Sequence, residues 1–430
     1  MIGFIVRVGS LATTGLFGPP PYHEEMFVSD SENGPPDAGR RTFLWGAALA
    51  TAVPILTEAG LAQARMAGGM GVPPADAVLI NANENPLGPS KAACQAIADI
   101  AAQGGRYDRN DIQGQFIKTY AAQHGLKPEN IAVYAGSGEP LHYTVLAYTS
   151  PTKSLVTADP SYESAMLAAN YAGAPIKKVA LTPSCAHDVK AMVAADPSAG
   201  VLYICNPNNP TGTITPREDI VWALEHKPAG SILLVDEAYI HLSDEQDVLD
   251  LVAAGKDLIV LRTFSKVYGM AGIRCGLAIG RPDLVAKLNE YGQNAMPITA
   301  LAAAQASITD PDLVPTRKKI IGDIRRDTLS WLKASGYKLI GESHSNCFMI
   351  DTGRDGHGVV EAMRAEKVYI GRIWPVWPQA VRITVGSADD MAKFKVAFKK
   401  VMDAKAMAAI DPTHTDPRAP IGVGGKTFLS

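Results

Sequence analysis

Residues 263–276 read "TFSKVYGMAGIRCG". One lysine, Lys266, stands there among small residues, directly after the apolar run "LIVLR" at 258–262. Such a run reads as a buried strand. A lysine at the end of a buried strand, partly desolvated, tends toward a lowered pKa and can act as a nucleophile. Thr263 and Ser265 flank it, and Arg274 follows eight positions later. The stretch alone fits an ordinary surface lysine on a loop equally well, so the sequence around it has to decide.

Outward from Lys266, short apolar runs alternate with helical patterns. "SLVTA" (154–158) runs into "DPSY", "VLYIC" (201–205) into "NPNNPTG", "SILLV" (231–235) into "DEAY" and "LIVLR" into "TFSK". This alternation predicts an α/β fold with a largely parallel sheet. Thr215-Pro216-Arg217-Glu218 reads as a capping box with proline at the first helical position. Ligands of open α/β sheets bind outside the carboxyl ends of the strands. Four strand ends here offer Tyr162, Asn209, Asp236 and Lys266. A chance polar cluster at one strand end is common, but four complementary ones are poorly explained by packing.

These side chains suit a cofactor with an aldehyde, a pyridine nitrogen, a ring hydroxyl and a phosphate. Lys266 would form a Schiff base with the aldehyde. Asp236 would pair with the pyridine nitrogen and keep it protonated, which makes the ring an electron sink. Asn209 and Tyr239 would donate to the ring oxygen, and Tyr162 would stack on the ring face. The phosphate would sit at "AGSGEP" (135–140), a glycine-rich turn carrying Gly136, Ser137 and Gly138 that opens a helical stretch. A helix N-terminus presents free N–H groups and the positive end of its dipole. Thr263, Ser265 and Arg274 would add hydroxyls and a charge.

The totals narrow the classes. The chain has 430 residues, 47% hydrophobic and 19% charged, with a formal charge of -3. That composition suits a soluble globular protein large enough for two domains. No basic stripe points to nucleic acid. Five cysteines without a C-x-x-C pair imply neither a disulfide framework nor a zinc site, and nine histidines show no ligand spacing.

The first 64 residues read as separate from the fold. "RRTFLWGAALATAVPILTEAGLAQA" (40–64) has paired arginines, Arg40 and Arg41, before a moderately apolar stretch ending in an A-x-A pattern. It is too short to span a membrane, which takes about 20 apolar residues. It resembles a twin-arginine (Tat) export signal, and an amphipathic helix with a chance arginine pair is the plain alternative. Met26 is a second candidate start. Without residues 1–64 the chain carries 37 basic and 37 acidic residues. Residues 406–430, rich in Pro, Gly and Thr, read as a loose tail.

"NPNNPTG", "VDEAY", "TFSK" and "GIRCG", in that order, resemble the fold-type I pyridoxal-phosphate-dependent aminotransferases. "NANENPLGPS" (81–90) and "VRITVGS" (381–387) are similar to the histidinol-phosphate aminotransferase-like branch. The resemblance covers roughly residues 78–403. It implies a mostly parallel central sheet in a large domain (96–310), a smaller α/β domain (311–405) and an N-terminal arm (65–95). It implies that Lys266 also shuttles the proton, and that Asp236 and Tyr239 serve catalysis beside it. It further implies that Tyr107, in "GRYDRND", reaches a partner subunit's phosphate in a homodimer. Arg382 would grip the substrate carboxylate, Arg372 would help with a second anionic group, and Asn83 would border the substrate with Asn209. The chain departs from the family where Gly138 replaces a usual acidic residue. Trp374 and Trp377, between the two arginines, fit either an apolar substrate pocket or core packing.

The expectation is an exported, periplasmic aminotransferase that moves an amino group between an amino acid or related amine and a 2-oxo acid. Export argues against histidinol phosphate as its substrate, because histidine biosynthesis is cytoplasmic. The rival readings are another carbanion reaction on the same cofactor (elimination, cyclisation or racemisation) and a non-catalytic periplasmic binding protein. The second would be expected to lack the lysine or the aspartate.

Overall fold

The computed structural model describes residues 72–404, except Gln293. The candidate signal peptide, the extension before it and the tail from 406 lie outside the described residues.

Twelve strands form three sheets among the described residues. They are β1 (Val78–Ile80), β2 (Ile131–Tyr134), β3 (Leu155–Asp159), β4 (Ile176–Ala180), β5 (Val201–Cys205), β6 (Ile232–Asp236), β7 (Leu258–Thr263), β8 (Gly276–Gly280), β9 (Lys338–Ile340), β10 (Cys347–Asp351), β11 (Val368–Ile370) and β12 (Ala380–Thr384). The main sheet has the order β2-β8-β7-β6-β5-β3-β4. The strands from β7 to β4 pair in parallel, and β8 runs antiparallel to both its neighbours. Helices intervene between successive parallel strands, as parallel crossovers require. The expected mostly parallel α/β fold is what the chain adopts.

The apolar runs lack polar alternation because the sheet is covered on both faces. Leu202, Ile204, Leu233, Val235, Leu258 and Val260 pack into one core cluster. Their sequence neighbours Val201, Tyr203, Ile232, Leu234, Ile259 and Leu261 pack into another. Because β3, β5, β6 and β7 are parallel, their carboxyl ends share one edge. Asp236 lies beside Cys205 and Leu261 there, and Thr263 lies beside Gly276.

The C-terminal region forms the antiparallel sheet β12-β10-β9. β1 pairs with β11 in parallel, Val78 beside Val368 and Ile80 beside Ile370. The N-terminal arm is thus stitched into the C-terminal part of the fold. The helix Lys91–Ala101, capped by the Ser90 hydroxyl, runs across the arm boundary expected at residue 95 and packs on the helix Ile298–Ile308. The capping box expected at 215–218 does not form. The Thr215 hydroxyl instead accepts from the His187 N–H at 3.1 Å, and the Glu245 carboxylate takes the free Arg217 N–H at 2.9 Å. A side chain from a distant loop has replaced the local cap.

Candidate active site

At the shared strand edge lies a cleft. Ser137, Gly138, Tyr162, Asn209, Asp236, Tyr239, Thr263, Ser265, Lys266 and Arg274 all line it, together with Cys205 and Ala238. Lys266 is 4% exposed. Its ammonium lies 5.4 Å from the centre of the Tyr239 ring. The lone lysine therefore occupies a buried site, not a surface loop.

Asp236 and Glu237 are neighbours at the end of β6, and the two-residue strand period sends them to opposite faces. On the cleft side Asp236 accepts from the Tyr203 hydroxyl at 3.0 Å and from the Ala238 N–H at 3.1 Å. Burial and the charge of Asp236 push the Tyr203 hydroxyl far up, so it stays a donor. On the other side Arg262 donates to Glu237 through Nε at 2.9 Å and to Asp247 through Nη2 at 2.8 Å. This buried pair ties β6 to β7 beneath the cleft. In the sequence Tyr203 reads only as part of a strand; its sole signal is a phenol inside an otherwise apolar run.

The glycine-rich turn is shaped by close approach. Gly136 has φ +96°, and a Cβ there would run into the Arg274 guanidinium. Gly276, closing "GIRCG", sits against the backbone of Gly136 and Ser137, where a Cβ would clash. Arg274 itself has φ +70° and donates to the carbonyls of Ala135 (2.9 Å) and Ala271 (2.8 Å). The helix Gly138–Tyr148 begins at this turn. The Thr263 and Ser265 hydroxyls lie 3.0 Å apart beside it. A turn with no room for a side chain at Gly136, a helix N-terminus, two hydroxyls and an arginine make a donor set suited to a phosphate. Next to Gly138, burial raises the Glu139 carboxyl against the pull of Arg274.

Of the other expected residues, Arg382 and Asn83 bond to side chains that line the cleft. Arg382, on β12, donates to the Asn209 side chain at 2.8 Å and to the Asn81 carbonyl at 2.6 Å. Asn83 donates to the Tyr239 hydroxyl at 3.0 Å. Asn85, quoted in the arm motif without a role, donates to the carbonyls of Lys266 (3.0 Å) and Val267 (2.9 Å) and fixes the loop after β7. Arg372 pairs with Glu163 at 2.9 Å. Both Arg372 and Arg382 lie over the Trp374 ring, at 5.1 and 5.6 Å. Trp374 is buried against Met349 and Ala380, with Trp377 packed beside them. Its indole N–H donates to the Ser161 carbonyl. Trp374 is therefore core that also carries the two arginines. Tyr107 is not brought into the cleft. It is 85% exposed and lines a separate surface hollow with Arg106, Asp108 and Arg109.

The family model for aminotransferases of class I and II matches residues 75–400. An aromatic amino acid aminotransferase from Rhodococcus jostii is 33% identical over 340 residues, 78% of this chain and 92% of that protein. A histidinol-phosphate aminotransferase from Moorella thermoacetica is 30% identical, over 76% and 86% of the two chains. The fold is shared with the histidinol-phosphate aminotransferase from Sinorhizobium meliloti solved with pyridoxal-5'-phosphate, with a TM-score of 0.71 and 24% identity over 79% of this chain and 94% of that one. The chain belongs to the class I and II aminotransferases, and it is a pyridoxal-phosphate-dependent enzyme. The donor set of the cleft fits that cofactor.

Proposed function

We propose that Lys266 binds the cofactor covalently and, once displaced by the substrate amine, carries the proton between substrate and cofactor carbons. The observation that carries this reading is the convergence of Lys266, Asp236, Asn209 and Tyr162 from four parallel strand ends into one cleft. When bound, pyridoxal phosphate supplies an electron sink for the carbanion formed at the substrate carbon. Asp236, held by Tyr203, keeps the pyridine nitrogen protonated. Asn209 and Tyr239 donate to the ring oxygen, and Tyr162 covers the ring. The turn at Gly136, Ser137 and Gly138 holds the phosphate with Thr263, Ser265 and Arg274. Arg382 takes the substrate carboxylate through its fork.

The substrate is an amino acid with an uncharged, ring-bearing side chain, paired with a 2-oxo acid. Two observations support this. One relative is named for aromatic amino acids, whose side chains are uncharged rings. In this chain Glu163 already engages Arg372, the residue expected to meet a second anion. The active species is a homodimer in which the exposed Tyr107 of one protomer completes the partner's phosphate site. The twin arginines at 40–41 direct export to the periplasm after the cofactor is loaded.

The test is the colour of the purified protein. An aromatic amino acid should bleach the bound cofactor and release its keto acid, and a 2-oxo acid should restore the colour. Borohydride reduction followed by peptide mapping should place the label on Lys266. Turnover of the amino acid with the colour retained would favour elimination or racemisation, and label on another lysine would remove Lys266 from its role.

A further inference from the structure

Asn83 is fully buried, and its backbone sits at φ +54°, in the left-handed region. Few residues except glycine adopt that region, though asparagine tolerates it better than most. Its surroundings hold it there. The Asn83 N–H donates to the Thr384 hydroxyl at 2.9 Å, and the Thr384 hydroxyl donates to Asn83 Oδ1 at 3.0 Å. The Asn346 side chain donates to the Asn83 carbonyl at 3.1 Å. The remaining end of the amide, Nδ2, donates to the Tyr239 hydroxyl at 3.0 Å.

A threonine hydroxyl has one proton, and an amide has a donor end and an acceptor end. The Thr384 proton goes to Oδ1, so Nδ2 must face Tyr239. Were the amide reversed, two N–H donors would crowd Thr384 Oγ1, and the threonine proton would lose its acceptor. Oδ1 would then draw the Tyr239 proton to itself. As arranged, Tyr239 accepts from Asn83 and aims its own proton elsewhere.

We infer that Thr384, acting through Asn83, is a positioning residue that directs the Tyr239 hydroxyl proton toward the cofactor's ring oxygen. The inference rests on the reading that Tyr239 meets that oxygen. Thr384 lies two residues beyond Arg382 on the same strand. β12 thus serves both the substrate carboxylate and the orientation of Tyr239.

The test is a pH titration of the visible absorbance of the cofactor-loaded, full-length enzyme. A donor to the ring oxygen stabilises its charged form, so losing the donor moves the midpoint up. Tyr239→Phe should raise the midpoint by about one pH unit, the size expected of one hydrogen bond to a charged group. Thr384→Val should move it in the same direction by at least half as much. Thr384→Ser, which keeps the hydroxyl, should stay at the wild-type midpoint. Asn83→Ala reads the same step if Thr384→Val does not fold. If Tyr239→Phe shifts the midpoint while Thr384→Val and Asn83→Ala do not, the inference is overturned and the role of Tyr239 stands. If Tyr239→Phe leaves it unmoved, both fall. A Thr384→Ser shift as large as that of Thr384→Val also overturns it, since packing and not the hydroxyl would then be at work.

Discussion

Asp236 works through its partners as much as through its charge. Tyr203 and the Ala238 N–H both donate to it, and both favour the ionised form that would hold a pyridinium. Asp236→Ala should leave the cofactor bound and lower the rate by on the order of 10² to 10³, the cost of one preorganised electrostatic contact. Tyr203→Phe removes one hydrogen bond to a charged group, and kcat/KM should fall about tenfold. Steady-state kinetics with cofactor content measured in parallel check both; wild-type rates in Asp236→Ala would sink the electron-sink assignment. On the proposed function, Glu163 bears on specificity at the same scale. Its carboxylate cancels Arg372 beside the shared indole, so Glu163→Gln should leave Arg372 a stronger anion site. The ratio of kcat/KM for dicarboxylic to aromatic donors should rise about tenfold, the effect of roughly 1.4 kcal/mol. An unchanged ratio would mean that Arg372 lies outside the substrate's reach.

At the level of elements, Arg262 and Glu237 bind β6 to β7 on the face away from the cleft. Removing Glu237 leaves Arg262 paired with Asp247 alone and its Nε without a carboxylate, so Glu237→Ala should destabilise the fold by about 1 to 3 kcal/mol. Urea unfolding followed by circular dichroism measures this, and a loss under about 1 kcal/mol would show that water or another group takes over the arginine. The strand ends were the legible part of the chain. Each apolar run stops at turn-forming residues, and Tyr162, Asn209, Asp236 and Lys266 from those strand ends line one cleft. What could not be read depends on partners far apart in sequence. Asn83 meets Thr384 across 301 positions, and Tyr203 meets Asp236 across 33. Thr215 offered a local capping pattern, yet His187, 28 residues away, claimed its hydroxyl. Local spacing carries the period of an element. It does not carry which neighbour tertiary packing brings to a hydroxyl.

Across the whole molecule, two buried histidines tie stability to pH. Burial lowers His142 and His187 to about 4 each. Both are therefore neutral in the folded state, whereas an unfolded histidine takes up its proton near 6.5. Between those values the unfolded chain binds more protons, so stability is full above about 6.5 and falls as pH drops toward 4. Urea midpoints between pH 7.5 and 5 should fall less steeply in His142→Gln than in the wild type; the same slope in both would show that the His142 ring is not held neutral. Its buried thiols bear on where this molecule folds. Cys185, Cys205, Cys275 and Cys347 are buried, and Cys205 lines the cleft itself. An unfolded chain entering an oxidising compartment would present these thiols to one another and would have to find its cofactor there. A twin-arginine route carries folded proteins, so on the proposed export route the thiols would be buried reduced and the cofactor loaded first. Replacing Arg40 and Arg41 with lysine should then trap an active, cofactor-loaded precursor in the cytoplasm, while the wild type appears outside the inner membrane cleaved after Ala64. Cell fractionation with an activity assay and N-terminal sequencing decides. Should the double-lysine variant still leave the cytoplasm, or the wild type stay there with residues 40–64 intact, export by this route is wrong. The aminotransferase assignment would survive that result, and histidinol phosphate would return as a substrate to test first.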